Sequence, residues 1–122
     1  MSVVSHDHDA LERSVDELSA SANPLPHHAR EIVEELISLL ESGAIRAASR
    51  DESGDWRAVP WVKRGILLGF RVGAVVDMSV TGANQAATFS FFDKDTYPPR
   101  KLRSADGVRI VPGGTAIRRG AY

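Results

Sequence analysis

The chain of 122 residues contains no cysteine. This absence excludes disulfide bonds, thiolate metal sites and a cysteine nucleophile, and it suits a reducing compartment. The most apolar stretch, residues 66–70, is far shorter than the roughly 20 residues of a membrane-spanning helix. Residues 1–22 carry acids and histidines instead of a basic and then apolar start, so we expect no secretory signal. We therefore predict a soluble cytoplasmic protein with no membrane partner.

Familiar catalytic and metal motifs are scarce. The sequence has no Gly-x-Ser-x-Gly turn and no glycine-rich phosphate loop. Residues 6–9 alternate His and Asp, and residues 27–28 could add two imidazoles. Alternate ligands in an unanchored tail make a weak site, so we predict no metal and interpret Asp7 or Asp9 as a helix cap.

Neither half of the chain is neutral, although the net charge is only −1. Residues 1–62 contain 5 basic and 12 acidic side chains, whereas residues 63–122 contain 10 basic and 4 acidic ones. A basic half favours anionic partners, whether phosphate or carboxylate. The alternative is that the two halves pack together with opposite charges.

The apolar residues recur at helical spacing in three segments. We predict helices over residues 7–20 and 27–42, and a third from Pro60 to about Gly73. Proline suits the first helical position because its fixed φ fits and its missing N–H is not needed there. Gly43 stands where the C-terminal cap of the second helix belongs. The third helix is expected to direct inward Trp61, Val62, Ile66, Leu67 and Phe70.

Four strands are predicted between and after these helices. They are residues 44–48 paired with residues 56–59, and residues 74–78 joined through residues 81–85 to residues 87–92. Trp56 and Trp61 are interpreted as core anchors, with a ligand platform as the alternative. The predicted fold class is a small α+β domain.

The end of the chain carries a spacing of six residues. Val111 and Ile117 are β-branched, and residues 120–121 are small enough for a tight corner. This period is typical of the left-handed parallel β-helix, in which about three coils are needed for stability. We therefore predict an α+β domain over residues 1–105 and the start of a truncated β-helix over residues 106–122. Without further coils, residues 115–122 are expected to fray.

Three stretches stand in the same order and at nearly the same separations as in a known family. They are residues 40–48, Trp56 with residues 61–71, and residues 108–112 continuing to residues 117–122. In these stretches the chain resembles the amino-terminal domain of tetrahydrodipicolinate N-succinyltransferase, a family of bacterial diaminopimelate and lysine biosynthesis. It departs from the family pattern at residues 98–99, which come late, and at residues 113–114, where the loop is looser.

The resemblance implies an activity, a co-substrate and a substrate-binding residue. The family transfers succinyl from succinyl-CoA to the amine of a ring-opened dicarboxylate, with active sites between the β-helices of a homotrimer. Arg109 matches the family's substrate-binding arginine, and arginine can bind a carboxylate through two parallel hydrogen bonds. The resemblance also implies that the catalytic groups and most of the coenzyme groove lie outside residues 1–122. Without the resemblance, Arg109 would be interpreted as covering a strand edge or pairing with an acid of the first half.

Other functions remain open at this level. Lys63 and Arg64 could reach a phosphate or form a solvated pair, and residues 100–103 could contact a coenzyme or form an exposed loop. We predict no nucleic-acid partner, because the whole chain is not basic and its aromatic residues follow strand rhythm. The alternatives to the implied enzyme are a non-catalytic truncated paralogue, an interaction domain, or a related acyltransferase with another acceptor.

Overall fold

The computed structural model describes residues 8–82 and 88–122, which form three helices, six short strands and one 3₁₀ turn. The helices are α1 (Asp9–Ala20), α2 (Ala29–Ser42) and α3 (Pro60–Val72). The strands are β1 (Ala48–Arg50), β2 (Trp56–Ala58), β3 (Val75–Asp77), β4 (Val80–Thr81), β5 (Thr88–Phe89) and β6 (Phe92–Lys94), and the 3₁₀ turn is Ser104–Asp106. The α+β fold class is confirmed. None of the helices in the described ranges is long and apolar enough to cross a membrane.

The core lies where α3 packs against both α1 and α2. The six largest fully buried side chains come from these helices, namely Val15, Val33, Leu36, Ile37, Val62 and Leu68. The predicted ends of α2 and α3 are confirmed. Gly43 caps α2 at φ 80° and donates its N–H to the Leu40 carbonyl, and Pro60 begins α3.

The predicted inward face of α3 is wrong at Leu67. This side chain is 52% exposed, whereas its neighbour Leu68 is fully buried. Each residue advances a helix by about 100°, so adjacent leucines cannot share one face. The buried face includes Gly65 and Gly69, because a side chain there would collide with Leu36 or Tyr97.

The first hairpin is confirmed, but its first strand lies further along the chain than predicted. Residues 44–45 follow the Gly43 cap and belong to the turn that closes α2, since the Ile45 N–H donates to the Leu39 carbonyl at 3.1 Å. This bond buries Ile45 against the core, and the strand begins only at Ala48. The hairpin itself projects from the helices. Trp56 is 62% exposed beside the Arg50 guanidinium, so its interpretation as a core anchor is wrong, whereas Trp61 does pack against the core.

The four later strands form two antiparallel pairs in one register. β3 pairs with β6, with Val75 opposite Lys94, and β4 pairs with β5, with Val80 opposite Phe89. The second pair lies five residues further along the first segment and five residues earlier in the second, so both pairs follow the same register. The predicted single strand over residues 87–92 is therefore interrupted between β5 and β6. At the interruption, the Phe91 N–H donates to the Ser79 hydroxyl instead of to a backbone carbonyl. Residues 83–87, which include most of the predicted connection and Ala87, lie outside the described residues.

The segment over residues 106–122 returns to the helices. It contains one isolated β-bridge, between Pro99 and Arg118, and no strand. The last five residues make contacts that the expectation of fraying did not include, and the fraying itself stays a prediction. Arg119 bonds to α2, the Arg100 guanidinium donates to the Ala121 carbonyl, and the Tyr122 ring lies against Gly43 and Arg46. The coil of a β-helix stays a prediction.

Candidate substrate-binding site

Arg109 lies in the middle of a loop whose two ends are bonded together. We call residues 101–117 the Arg109 loop. At its base the Arg100 N–H donates to the Ile117 carbonyl at 2.6 Å, and the Arg119 N–H donates to the Pro98 carbonyl at 2.9 Å. These bonds surround the Pro99–Arg118 bridge, so the two arms of the loop are held side by side.

A short turn precedes Arg109 within the loop. The Asp106 carboxylate accepts the backbone N–H of Arg103 at 2.7 Å, and Gly107 adopts φ 71°, a conformation that favours glycine. Arg109 itself is exposed, and it makes no hydrogen bond or ion pair with the described residues. Its guanidinium is thus available to an anion, which agrees with the predicted role but does not test it.

Four ion pairs, made by three arginines, anchor the base of the Arg109 loop to the rest of the fold. Arg100 lies 3.4 Å from a Glu41 oxygen, Arg118 lies 2.7 Å from Asp93, and Arg119 bonds to both Glu34 and Glu41. Arg119 also donates to the Ser38 hydroxyl. The acceptors therefore belong to two elements, the helix α2 and the strand β6.

The charges at this base are stable at neutral pH. The pKa of Asp93 is lowered, first by a hydrogen bond from the Lys94 backbone and then by the Arg118 guanidinium. The pKa of Arg119 is raised, chiefly by its hydrogen bond to Glu34. Both shifts favour the charged forms of Asp93 and Arg119.

The charge asymmetry of the sequence is partly satisfied inside the fold. The pairs of Glu41 with Arg100 and Arg119 join the acidic first half to the basic second half, and so does Arg64 with Asp16 at 2.8 Å. Arg64 thus has an ion-pair partner inside the fold, a contact that is neither the phosphate contact nor the solvated pair expected from the sequence. Within the described part of the chain, Lys101 and Arg109 have no such partner. The Arg109 loop therefore retains positive charge for an external anion.

A cleft of about 1110 Å³ lies between the Arg109 loop and the strands. Its walls come from segments distant in sequence, so no local pattern predicts it. Aromatic side chains form one wall and residues 112–116 of the loop form another, with the Asp93–Arg118 pair among the lining groups. The aromatic residues are Phe89, Phe91, Phe92 and Tyr97. The clustering of three phenylalanines in residues 89–92 was the only sequence signal.

The other predicted candidates are not brought to this site. The described residues contain no cluster of three His, Asp or Glu side chains able to hold a metal, and His6 and Asp7 lie outside them. His8 occupies the N-cap position of α1, so Asp9 stands in the first turn, where its charge favours the helix dipole. Lys63 is exposed on α3.

Comparison with known proteins identifies the family. The model of the family described as tetrahydrodipicolinate N-succinyltransferase N-terminal matches residues 9–72. The chain belongs to this family. The match covers α1 to α3 and ends before the Arg109 loop. Similarity in the later part of the chain is seen in comparison with individual relatives.

Several curated relatives extend the similarity into the loop. All three considered are named 2,3,4,5-tetrahydropyridine-2,6-dicarboxylate N-succinyltransferase. The Variovorax paradoxus protein is 35% identical over 111 residues, covering 88% of this chain and 38% of the relative. The Xylella fastidiosa Temecula1 protein is 38% identical over 89% of the chain and 36% of the relative. The Salmonella typhi protein is 35% identical over 93% of the chain and 39% of the relative. The chain thus spans little more than a third of the length of these relatives.

Proposed function

We propose that this chain is the amino-terminal part of an acyltransferase of diaminopimelate and lysine biosynthesis. The enzyme would transfer succinyl from succinyl-CoA to the amine of ring-opened tetrahydrodipicolinate. Membership of the family and the shared name of the relatives support this activity. The observation that carries the role of this chain is Arg109, whose exposed guanidinium lies at the centre of a closed loop and has no partner among residues 8–82 and 88–122.

Arg109 is proposed to hold one carboxylate of the acceptor. In the reaction the neutral amine attacks the thioester carbonyl carbon, an N–C bond forms, the C–S bond breaks, and the amine proton passes to the departing CoA thiolate. A fixed carboxylate orients the amine, and orientation is a large part of the catalysis of such a bimolecular step. The groups that stabilise the thioester oxyanion and accept the proton are proposed to lie outside residues 1–122.

Residues 106–122 are proposed to begin a left-handed β-helix that assembles as a homotrimer. The apolar side chains of Val108, Ile110 and Val111 are exposed, which supports this proposal because each coil of a β-helix covers the next. The proposed partners are therefore the dicarboxylate, the CoA thioester and further copies of the full-length chain. The proposal includes no metal, nucleic acid or membrane, and the lack of cysteine favours the cytoplasm as its location.

The test is succinyl transfer by a completed enzyme. The chain is joined to the carboxyl-terminal part of the Variovorax paradoxus relative and assayed with tetrahydrodipicolinate and succinyl-CoA. Arg109→Ala should lower kcat/KM for the acceptor roughly 10- to 150-fold, the loss of one charged, bidentate hydrogen-bonded contact. The matched control is Lys101→Ala, which removes another cation of the same loop that has no partner in the described part of the chain.

The outcomes separate the competing functions. No turnover by a well-folded wild-type trimer would refute the activity and favour a related acyltransferase or a non-catalytic paralogue. Turnover that Arg109→Ala leaves unchanged would refute the carboxylate contact alone. An equal loss in Lys101→Ala would show that net loop charge, and not Arg109, is what binds the acceptor.

A further inference from the structure

The base of the Arg109 loop converges on one carboxylate. Glu41 lies in the last turn of α2 and is 21% exposed, the least exposed member of the ion pairs at the base. One of its oxygens, Oε1, faces Arg100, which lies just before the loop. The other, Oε2, accepts hydrogen bonds from the Nε and Nη2 of Arg119, which lies just after it, at 3.2 and 3.1 Å.

We propose that Glu41 is a positioning residue that holds the Arg109 loop closed for substrate binding. A single carboxylate bonded to both arms acts as a cross-link between residues that the loop separates. Because Glu41 sits on the helix that forms the core with α3, it also fixes the loop relative to that core. This inference rests on the proposed role of Arg109.

The neighbouring acids provide a graded comparison. Among the arginines at the loop base, Glu34 pairs with Arg119 alone and is 56% exposed, and Asp93 pairs with Arg118 alone. Loss of either leaves the other arm and the Glu41 cross-link in place. Glu35 also lies on α2 but bonds to none of the described residues, so Glu35→Gln removes the same charge without touching the loop base.

The first arm of the test uses the chain as it stands. Trypsin cleavage after Arg109 is followed by mass spectrometry in the wild type, Glu41→Gln and Glu35→Gln, and it is divided by cleavage after Lys63 in α3. The division removes any change caused by global unfolding, because trypsin can bind the backbone around Lys63 only when α3 opens, although the side chain itself is exposed. We expect the ratio to rise roughly tenfold in Glu41→Gln alone, since without the cross-link the backbone hydrogen bonds at the loop base open more often. An unchanged ratio, or an equal rise in Glu35→Gln, would overturn the proposal.

The second arm uses the completed enzyme and a double-mutant cycle. Glu41→Gln should lower kcat/KM for the dicarboxylate about tenfold, because misplacing a binding group by about 1 Å is costly, and should leave the KM for succinyl-CoA unchanged. In an Arg109→Ala background the same substitution should have no further effect, since Glu41 acts through Arg109. Equal effects in both backgrounds would overturn the positioning role. Lack of wild-type turnover would refute the proposed function, while the trypsin ratio would still decide whether Glu41 closes the loop.

Discussion

Replacing Gly69 with alanine should destabilise the protein, although alanine is the better helix former. In an exposed helix interior this change would stabilise by about 1 kcal/mol. In α3, however, the added Cβ would lie 2.6 Å from Cζ and 2.8 Å from Cε2 of Tyr97, and still closer to its hydroxyl oxygen. These separations are far inside van der Waals contact. The buried ring must move, or α3 must shift away from it.

The cost follows from what Tyr97 does in its site. Its hydroxyl donates to the Ile66 carbonyl at 2.7 Å, and its ring packs 4.7 Å from that of Phe70. Overpacking a core costs about 1–3 kcal/mol, and leaving a buried hydroxyl without its acceptor costs about 1–3 kcal/mol more. After the gain in helix propensity, Gly69→Ala should lower the free energy of unfolding by about 2–3 kcal/mol. For a chain of this length the melting temperature should fall by about 10 °C.

Urea unfolding followed by circular dichroism at 222 nm measures this free energy. The control is Gly114→Ala, because Gly114 has open space around the position of a Cβ and no positive φ. That variant should remain within about 0.5 kcal/mol of the wild type. A Gly69→Ala protein as stable as the wild type, or more stable, would refute the close approach of Tyr97 to α3.

Two further predictions concern the pH dependence of stability. Burial raises the pKa of Tyr97 from 10.0 to about 12, so the contribution of its neutral form to stability is complete below pH 10 and is lost as the pH rises through 12. In urea unfolding, Tyr97→Phe should therefore lose less stability than the wild type between about pH 8 and pH 11. Parallel losses in the two proteins would contradict this. The pKa of Asp95 is lowered by the N–H of Ala74 and then by Arg30, so its contribution is present above about pH 4 and is lost as the pH falls through the lowered pKa. Asp95→Asn should be less stable at pH 6 but lose less between pH 6 and pH 2, and an unchanged acid dependence would argue against this pair.

Local signals account for the parts of the fold that could be predicted. Pro60 and Gly43 mark the start of α3 and the end of α2 because each imposes a backbone conformation without help from distant residues. The errors arose where packing decides. Leu67 and Leu68 are equally apolar, and only the positions of α1 and α2 determine which of them is buried. Trp56 is large and apolar, but all three residues of its strand β2 are exposed.

The site was predictable only at the residue that matches a family motif. Arg109 could be named from the sequence, yet the groups that hold its loop could not. Arg119 is 78 residues from Glu41 and 85 from Glu34, and no periodic pattern relates residues so far apart. The cleft has the same origin, since residues 112–116 face strands that precede them by some twenty residues or more.

The prediction that residues 115–122 fray rests only on the apolar stacking of β-helix coils. Charge and aromatic contacts to the end of α2 also act on this segment. The chain end makes three contacts with the last turn of α2 and the residues after it. Arg119 pairs with Glu41, and the Tyr122 ring lies against Gly43 and Arg46. Gly43 thus needs to be glycine both for its φ of 80° and for the approach of the Tyr122 ring, whereas the sequence indicated only the first reason.

The end of α2 therefore couples the family's helical unit to the Arg109 loop. Glu41 points toward the loop only because Ile37 and Leu40 of the same helix are buried in the core, which sets the rotation of α2 about its axis. A one-residue insertion between Leu40 and Glu41 would turn the carboxylate by about 100° and remove it from both arginines. The residues matched by the family model stop at residue 72, but they include the carboxylate that fixes the loop beyond it. The geometry of the loop is thus determined by the helical core as well as by its own sequence.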